Sequence, residues 1–81
     1  MADSLVADRT YDASGLLCPL PVLRANRMLR ELAPGQTLKV LATDPAAEAD
    51  FPAYCRQTGH TLVGTGREGA VLVFLIRKKD A

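Results

Sequence analysis

Between Pro19 and the Pro34-Gly35 pair, apolar residues recur at the spacing of a helix. Val22, Ala25, Met28, Leu29, Leu32 and Ala33 fall on one face at intervals of three and four, and Arg24, Arg27, Arg30 and Glu31 take the opposite one. Leu23 falls among these polar positions and is expected to stand exposed. Pro34-Gly35 stops the helix, with the glycine suited to a left-handed cap. A stripe of this kind has to be covered by another layer, and a chain of 81 residues has room for one domain in which to find it.

The covering layer is legible as strands. Residues 7–12 alternate, with Ala7, Arg9 and Tyr11 on one side and Asp8, Thr10 and Asp12 on the other, as in a short edge strand. Leu38 to Thr43 is apolar with β-branched character, as a central strand would be. Thr43-Asp44-Pro45 is a helix-start signal, but Pro52 interrupts the pattern behind it. The expectation is a short turn over 45–49 and a restart near Asp50, ending at Gly59. Phe51, Cys55 and Thr58 share a face of this segment, with Tyr54 beside it. His60 to Thr65 and Ala70 to Arg77 then form a hairpin through Gly66-Arg67-Glu68-Gly69. The order β-α-β-α-β-β predicts an α/β two-layer sandwich: a four-stranded mixed sheet with two helices on one face. It occupies residues 7–79 as a single domain behind a disordered N-terminus, residues 1–6.

A net charge of +1 gives no global field for nucleic acid, and the arginine stripe is short, with no aromatic residue in it. No direct nucleic-acid binding is expected. The chain starts with an acid, Asp3, where a secretory signal would carry bases, and its longest apolar run, Ala70 to Ile76, is too short to span a bilayer. The expectation is a cytoplasmic protein with reduced thiols and no membrane partner. Two cysteines and one histidine are too few for an internal zinc site, so no metal and no cofactor are expected.

The chemistry concentrates at Cys18. If Pro19 takes the first helical position, Cys18 is the N-cap, and free N–H groups of the first turn and the helix dipole favour its thiolate. Such a position can bring a thiol from about 8.5 into the range of about 3.5–7.5. Against this stands the ordinary fate of a free cysteine, burial as a small hydrophobe. That fate suits Cys55, whose helical face also holds Phe51 and Thr58. Cys55 could otherwise serve as a resolving thiol. His60 opens a strand and is better placed as a half-exposed strand residue than as a base. Asp44 and Asp50 suit helix caps better than catalytic acids. Arg24 and Arg27, with Leu17, Leu20 and Leu23, form a candidate docking rim for an acidic partner; the bland alternative is a solvated face.

The run Asp12-Ala13-Ser14-Gly15-Leu16-Leu17-Cys18-Pro19-Leu20-Pro21 resembles the D-x-x-G-x-x-C-P-x-P signature of the TusA/SirA sulfur-carrier family. The similarity continues through Pro34-Gly35, Thr43-Asp44-Pro45, Asp50-Phe51-Pro52, Cys55 and Gly59-His60 to Phe74-Leu75-Ile76-Arg77. It implies the two-layer fold and a role for Cys18 as the residue that accepts a sulfane sulfur as a persulfide. Pro19 and Pro21 carry over as positioning residues. The implied partners are a sulfur donor (a cysteine desulfurase or a rhodanese) and an acceptor protein of a sulfur relay, so the chain would be a sulfurtransferase-type carrier that does not turn over alone. Members that serve transfer-RNA thiolation tend to have a basic residue before the cysteine and an acidic one between the prolines, where this chain has Leu17 and Leu20. Related members serve sulfur oxidation, molybdenum-cofactor sulfuration or selenium metabolism, and the sequence does not choose among them. Two other classes compete: a thiol redox protein, which would want a resolving cysteine at a spacing such as C-x-x-C, and a non-catalytic regulatory or interaction module.

Overall fold

The computed structural model describes residues 7–80. The expectation of a disordered segment over 1–6 lies outside them. The elements are β1 (Arg9–Ala13), α1 (Leu20–Glu31), β2 (Thr37–Ala42), α2 (Ala47–Thr58), β3 (Thr61–Glu68) and β4 (Val71–Arg77). They form one four-stranded sheet in the order β1-β2-β4-β3. β1 pairs parallel with β2, and β4 pairs antiparallel with both β2 and β3. The sheet is therefore mixed, with β1 at an edge and β2 inside.

Parallel neighbours need a crossover, and α1 supplies it between β1 and β2. β2 and β3 also run parallel, with β4 inserted between them, and α2 makes that second crossover. Both crossovers advance in the same direction across the sheet. A common right-handed sense then puts both helices on one face. That face holds the core: Leu38, Val40 and Ala42 from β2 and Leu72, Phe74 and Ile76 from β4 meet Ala25 and Leu29 from α1 and Ala47, Phe51, Tyr54 and Cys55 from α2. Phe51 stacks on Phe74 with ring centroids 4.6 Å apart. Burying each of the larger side chains contributes about 1.5–3 kcal/mol. On the opposite face, among the described residues, only Val73 and Leu75 are buried; they pair across the ladder with Leu41 and Lys39.

Several local expectations are corrected. The first helix ends at Glu31 rather than reaching Ala33, which is exposed. Its end is secured from outside the helix, because the Lys78 Nζ donates to the carbonyls of Arg30 and Leu32. The second helix shows no restart at Asp50. It runs unbroken from Ala47 through Pro52. Its first turn is already closed by bonds from Glu48, Ala49 and Asp50 to the carbonyls of Pro45 and Ala46. The interior proline costs about 3 kcal/mol, offset by the burial of Phe51, Tyr54 and Cys55 beside it. The end at Gly59 is as expected: its φ of 89° is left-handed, and its N–H donates to the Cys55 carbonyl at 2.9 Å. The hairpin turn is tighter than expected. The strands continue to Glu68 and Val71, leaving Gly69-Ala70 as a two-residue loop in which Gly69, at φ 60°, takes the first position.

Candidate functional site

Because β1 and β2 are parallel, the loops that leave them emerge side by side, and Cys18 lies in the first of these. The loop folds on itself and then onto its neighbour. Asp12 Oδ1 accepts from the Ser14 N–H at 2.9 Å, and Leu16 N–H donates to the Ala13 carbonyl at 3.1 Å. Gly15 N–H donates to Thr43 Oγ1 at 2.9 Å, and Cys18 N–H donates to Asp44 Oδ2 at 2.7 Å. The other Asp44 oxygen accepts from Ala46 N–H at 3.0 Å, and the two bonds hold this carboxyl below its usual range, the one from Cys18 most strongly. Asp44 was expected as a cap for the second helix. It instead ties the Cys18 loop to the turn that precedes α2.

Cys18 is exposed, with its thiol free, and the Cys18–Pro19 peptide is cis. It is not the N-cap. Pro19 holds that position, the helix begins at Leu20, and Pro21 falls in its first turn with its ring buried. The expected activation by the helix end is lost for a local reason. Leu20 N–H donates to the Leu17 carbonyl at 2.9 Å, Pro21 has no N–H, and Leu23 N–H donates to the Pro19 carbonyl at 3.1 Å. Few first-turn donors are left for an anion. The thiol is accordingly pushed above its ordinary value, not below it. The main cause is the Asp50 carboxylate that shares its cavity and favours the protonated thiol, followed by desolvation and the negative charge of Asp50 and Asp44. No cation appears among the groups that act on it.

Beside the sulfur opens a cavity of about 270 Å³ between the two helices, lined by Cys18, Pro19, Val22, Asp50, Ala53, Tyr54 and Gln57. Asp50, Ala53, Tyr54 and Gln57 lie at helical spacing on α2, so this second face was present in the sequence next to the one that holds Phe51 and Cys55. Neither Asp50 nor Tyr54 was expected beside Cys18. The Tyr54 hydroxyl donates to Asn26 Oδ1 at 2.8 Å, linking the helices, and burial pushes its pKa to about 12.

The candidate rim stands out in solvent. Leu17 is 70% exposed, Leu20 40% and Leu23 56%. Arg24 and Arg27 are exposed on the same helix, and the two ion pairs among the described residues, Arg9–Glu31 and Arg67–Glu48, involve neither. Cys55 is remote in character: it is 5% exposed within the core, and burial raises its thiol. His60 is half-buried and accepts at Nδ1 from the Lys79 N–H at 3.1 Å. Desolvation, then Lys79 and Lys78, lower its pKa. It lines a separate cavity with Cys55 and not the one at Cys18. Among the described residues no group of three or more His, Cys, Asp and Glu side chains could hold a metal ion, and no helix is long and apolar enough to cross a membrane.

A family model described as "Sulfurtransferase TusA" matches residues 9–78. The chain belongs to the TusA family. A relative from Allochromatium vinosum, named "Sulfur carrier protein TusA", is 49% identical over 71 residues, covering 88% of this chain and 93% of its own. A Pseudomonas entomophila protein of the same name is 47% identical over 75 residues, covering 93% and 94%. Among solved structures, a SirA-like protein from Desulfitobacterium hafniense superposes with a TM-score of 0.78 at 26% identity, covering 88% of this chain and 97% of that one. The two-layer architecture and the family resemblance drawn from the motif both stand.

Proposed function

We propose that this chain is a sulfur carrier, a single domain over residues 7–79 that accepts a sulfane sulfur as a persulfide on Cys18 and passes it to an acceptor protein. The observation that carries this reading is the exposed thiol of the C-P-x-P motif, fixed through its own N–H to Asp44. TusA membership and relatives named as sulfur carriers support it. Loading is a sulfur exchange. The Cys18 sulfur attacks the outer sulfur of a donor persulfide, an S–S bond forms at Cys18, and the donor's S–S bond breaks. The donor's own sulfur leaves with the electron pair and takes up a proton. Delivery repeats the exchange, with an acceptor thiolate attacking the outer sulfur now on Cys18. No external oxidant or reductant enters.

Pro19 and Pro21 act as positioning residues, the buried Pro21 ring seating the start of α1 against the fold. Leu17, Leu20 and Leu23 with Arg24 and Arg27 form the docking rim, and the partners are a cysteine desulfurase or rhodanese as donor and a relay protein as acceptor. The relay serves transfer-RNA thiolation, sulfur oxidation or cofactor sulfuration. Incubation with a cysteine desulfurase and cysteine, followed by intact-protein mass spectrometry, tests the reading. The protein gains the mass of one sulfur atom, localised to Cys18 and lost with dithiothreitol, as a persulfide is and a sulfinic or sulfonic acid is not. Loading on Cys55 instead, or on neither cysteine with several competent donors, overturns it.

A further inference from the structure

The motif cysteine has acids, and no cation, for company. Asp44 is held against its backbone, Asp50 shares its cavity from the first turn of α2, and the remaining lining (Pro19, Val22, Ala53, Tyr54 and Gln57) carries no charge at neutral pH. Tyr54, with its pKa pushed to about 12, stays a neutral phenol there. The exposed Leu17 and Leu20 flank the cysteine in the chain, and a carboxylate shares the cavity beside its sulfur.

We infer that Asp50 is the specificity-determining residue of this site: its carboxylate in the Cys18 cavity turns away anionic sulfur donors and reserves the thiol for a partner that sets a positive charge beside its own reactive sulfur. This deepens the carrier reading and rests on it. Small sulfur donors such as thiosulfate are anions, and their approach brings like charges together at short range. A protein donor with a lysine, arginine or histidine next to its persulfide reverses the sign. Docked on Asp50, that cation offsets the negative charge beside the Cys18 sulfur and so favours the thiolate where the transfer takes place. The basic outer face of α1, at Arg24 and Arg27, supplies the opposite pole, and a bipolar surface of this kind fixes the orientation of the partner as well as its charge.

The test uses charge-matched thiol reagents on the full chain carrying Cys55→Ala. Aminoethyl methanethiosulfonate is a cation and sulfonatoethyl methanethiosulfonate an anion. With either, the thiolate attacks the thiosulfonate sulfur, a disulfide forms, and methanesulfinate leaves with the electron pair. Both meet the same thiolate population at a given pH, so the ratio of their rates reports the field at the sulfur and not the acidity of the thiol. The ratio favours the cation, and Asp50→Asn lowers it by about tenfold in low-salt buffer, less at physiological salt, from Coulomb's law at contact distance and its screening. Asp50→Glu retains the preference, and neutral methyl methanethiosulfonate serves as the control for altered access. Asp50→Asn also speeds loading from thiosulfate, a step in which sulfite leaves as the outer sulfur passes to Cys18. An unchanged ratio in Asp50→Asn, with the fold intact by circular dichroism, overturns the inference even where a desulfurase still loads Cys18. If Cys18 loads from no donor while the ratio still collapses, the filter stands and the carrier reading falls.

Discussion

Cys18 and Cys55 are both free thiols whose pKa is held above the ordinary value, and the causes differ. Cys55 is raised by burial among Phe51, Tyr54 and the sheet, an effect that only unfolding removes. Cys18 is raised chiefly by one carboxylate at an exposed site, an effect that a single incoming cation can cancel. The same direction of shift therefore describes an inert core group in one case and a poised surface group in the other. Exposure and the identity of the neighbours separate them, whereas the acidity alone does not.

The largest expected effect breaks this comparison if it fails. Cys18→Ser abolishes sulfur loading, and Cys55→Ser loads as the parent does, both measured by intact-protein mass spectrometry after incubation with a donor. Equal loss in both variants would make the two thiols one functional unit. Stability separates them the other way. Cys18→Ser leaves urea unfolding within about 0.5 kcal/mol of the parent, as exposed substitutions do. Cys55→Ser sets a hydroxyl in the core and costs about 1–3 kcal/mol. An equal cost at both positions would mean that the Cys18 loop supports the fold as strongly as the core does.

What could be seen of these two residues in the sequence follows the reach of the rules that apply to them. The burial of Cys55 follows from its spacing with Phe51, a local property of one helix, and the edge and central strands were legible in the same way from alternation in β1 and continuity in β2. The cap at Cys18 was not legible. Whether the first-turn donors of α1 are free depends on Leu17 turning its carbonyl onto Leu20, and the Cys18 N–H is claimed by an aspartate 26 residues away. Pro52 misled for a related reason: local propensity favours a break there, and the packing of Phe51 on Phe74 overrides it. Asp50 met a helix-start pattern and was placed accordingly, although its partner across the cavity lies on another element.

Titration sharpens the comparison with a smaller effect. The midpoint for alkylation of Cys18, followed with neutral iodoacetamide in a Cys55→Ala background, lies above about 8.5 and moves down in Asp50→Asn; a parent midpoint at or below the ordinary value would remove the acids from the account. For Cys55 the readout is stability. A thiol whose pKa is raised in the folded state stabilises the fold fully below the unfolded value of about 8.5, and that contribution is lost as pH rises through the folded value. Urea midpoints therefore fall above that pH in the parent and fall less in Cys55→Ala. Measurements kept below about pH 9, before tyrosine titrates appreciably in the unfolded chain, and taken as the difference between parent and Cys55→Ala isolate this thiol.

The smallest effect concerns the pole opposite Asp50. Arg24 and Arg27 lie on the exposed face of α1, one and two turns beyond Leu20, with their charges in water. Charges in that position act on encounter more than on the bound state, and salt with a Debye length of about 8 Å at physiological strength screens much of what they do. Replacing both with glutamate slows sulfur transfer from the protein donor severalfold in low-salt buffer, and the difference shrinks as salt is added. The fold is unaffected, because both side chains are exposed. Transfer from a neutral small-molecule persulfide stays at the parent rate, since it needs no docking face. A double variant that transfers at the parent rate in low salt would assign the stripe to ordinary solvated surface and leave Asp50 as the single electrostatic determinant. Slowing that persists undiminished at high salt would point instead to direct contacts made by the arginine side chains, which steering alone does not require.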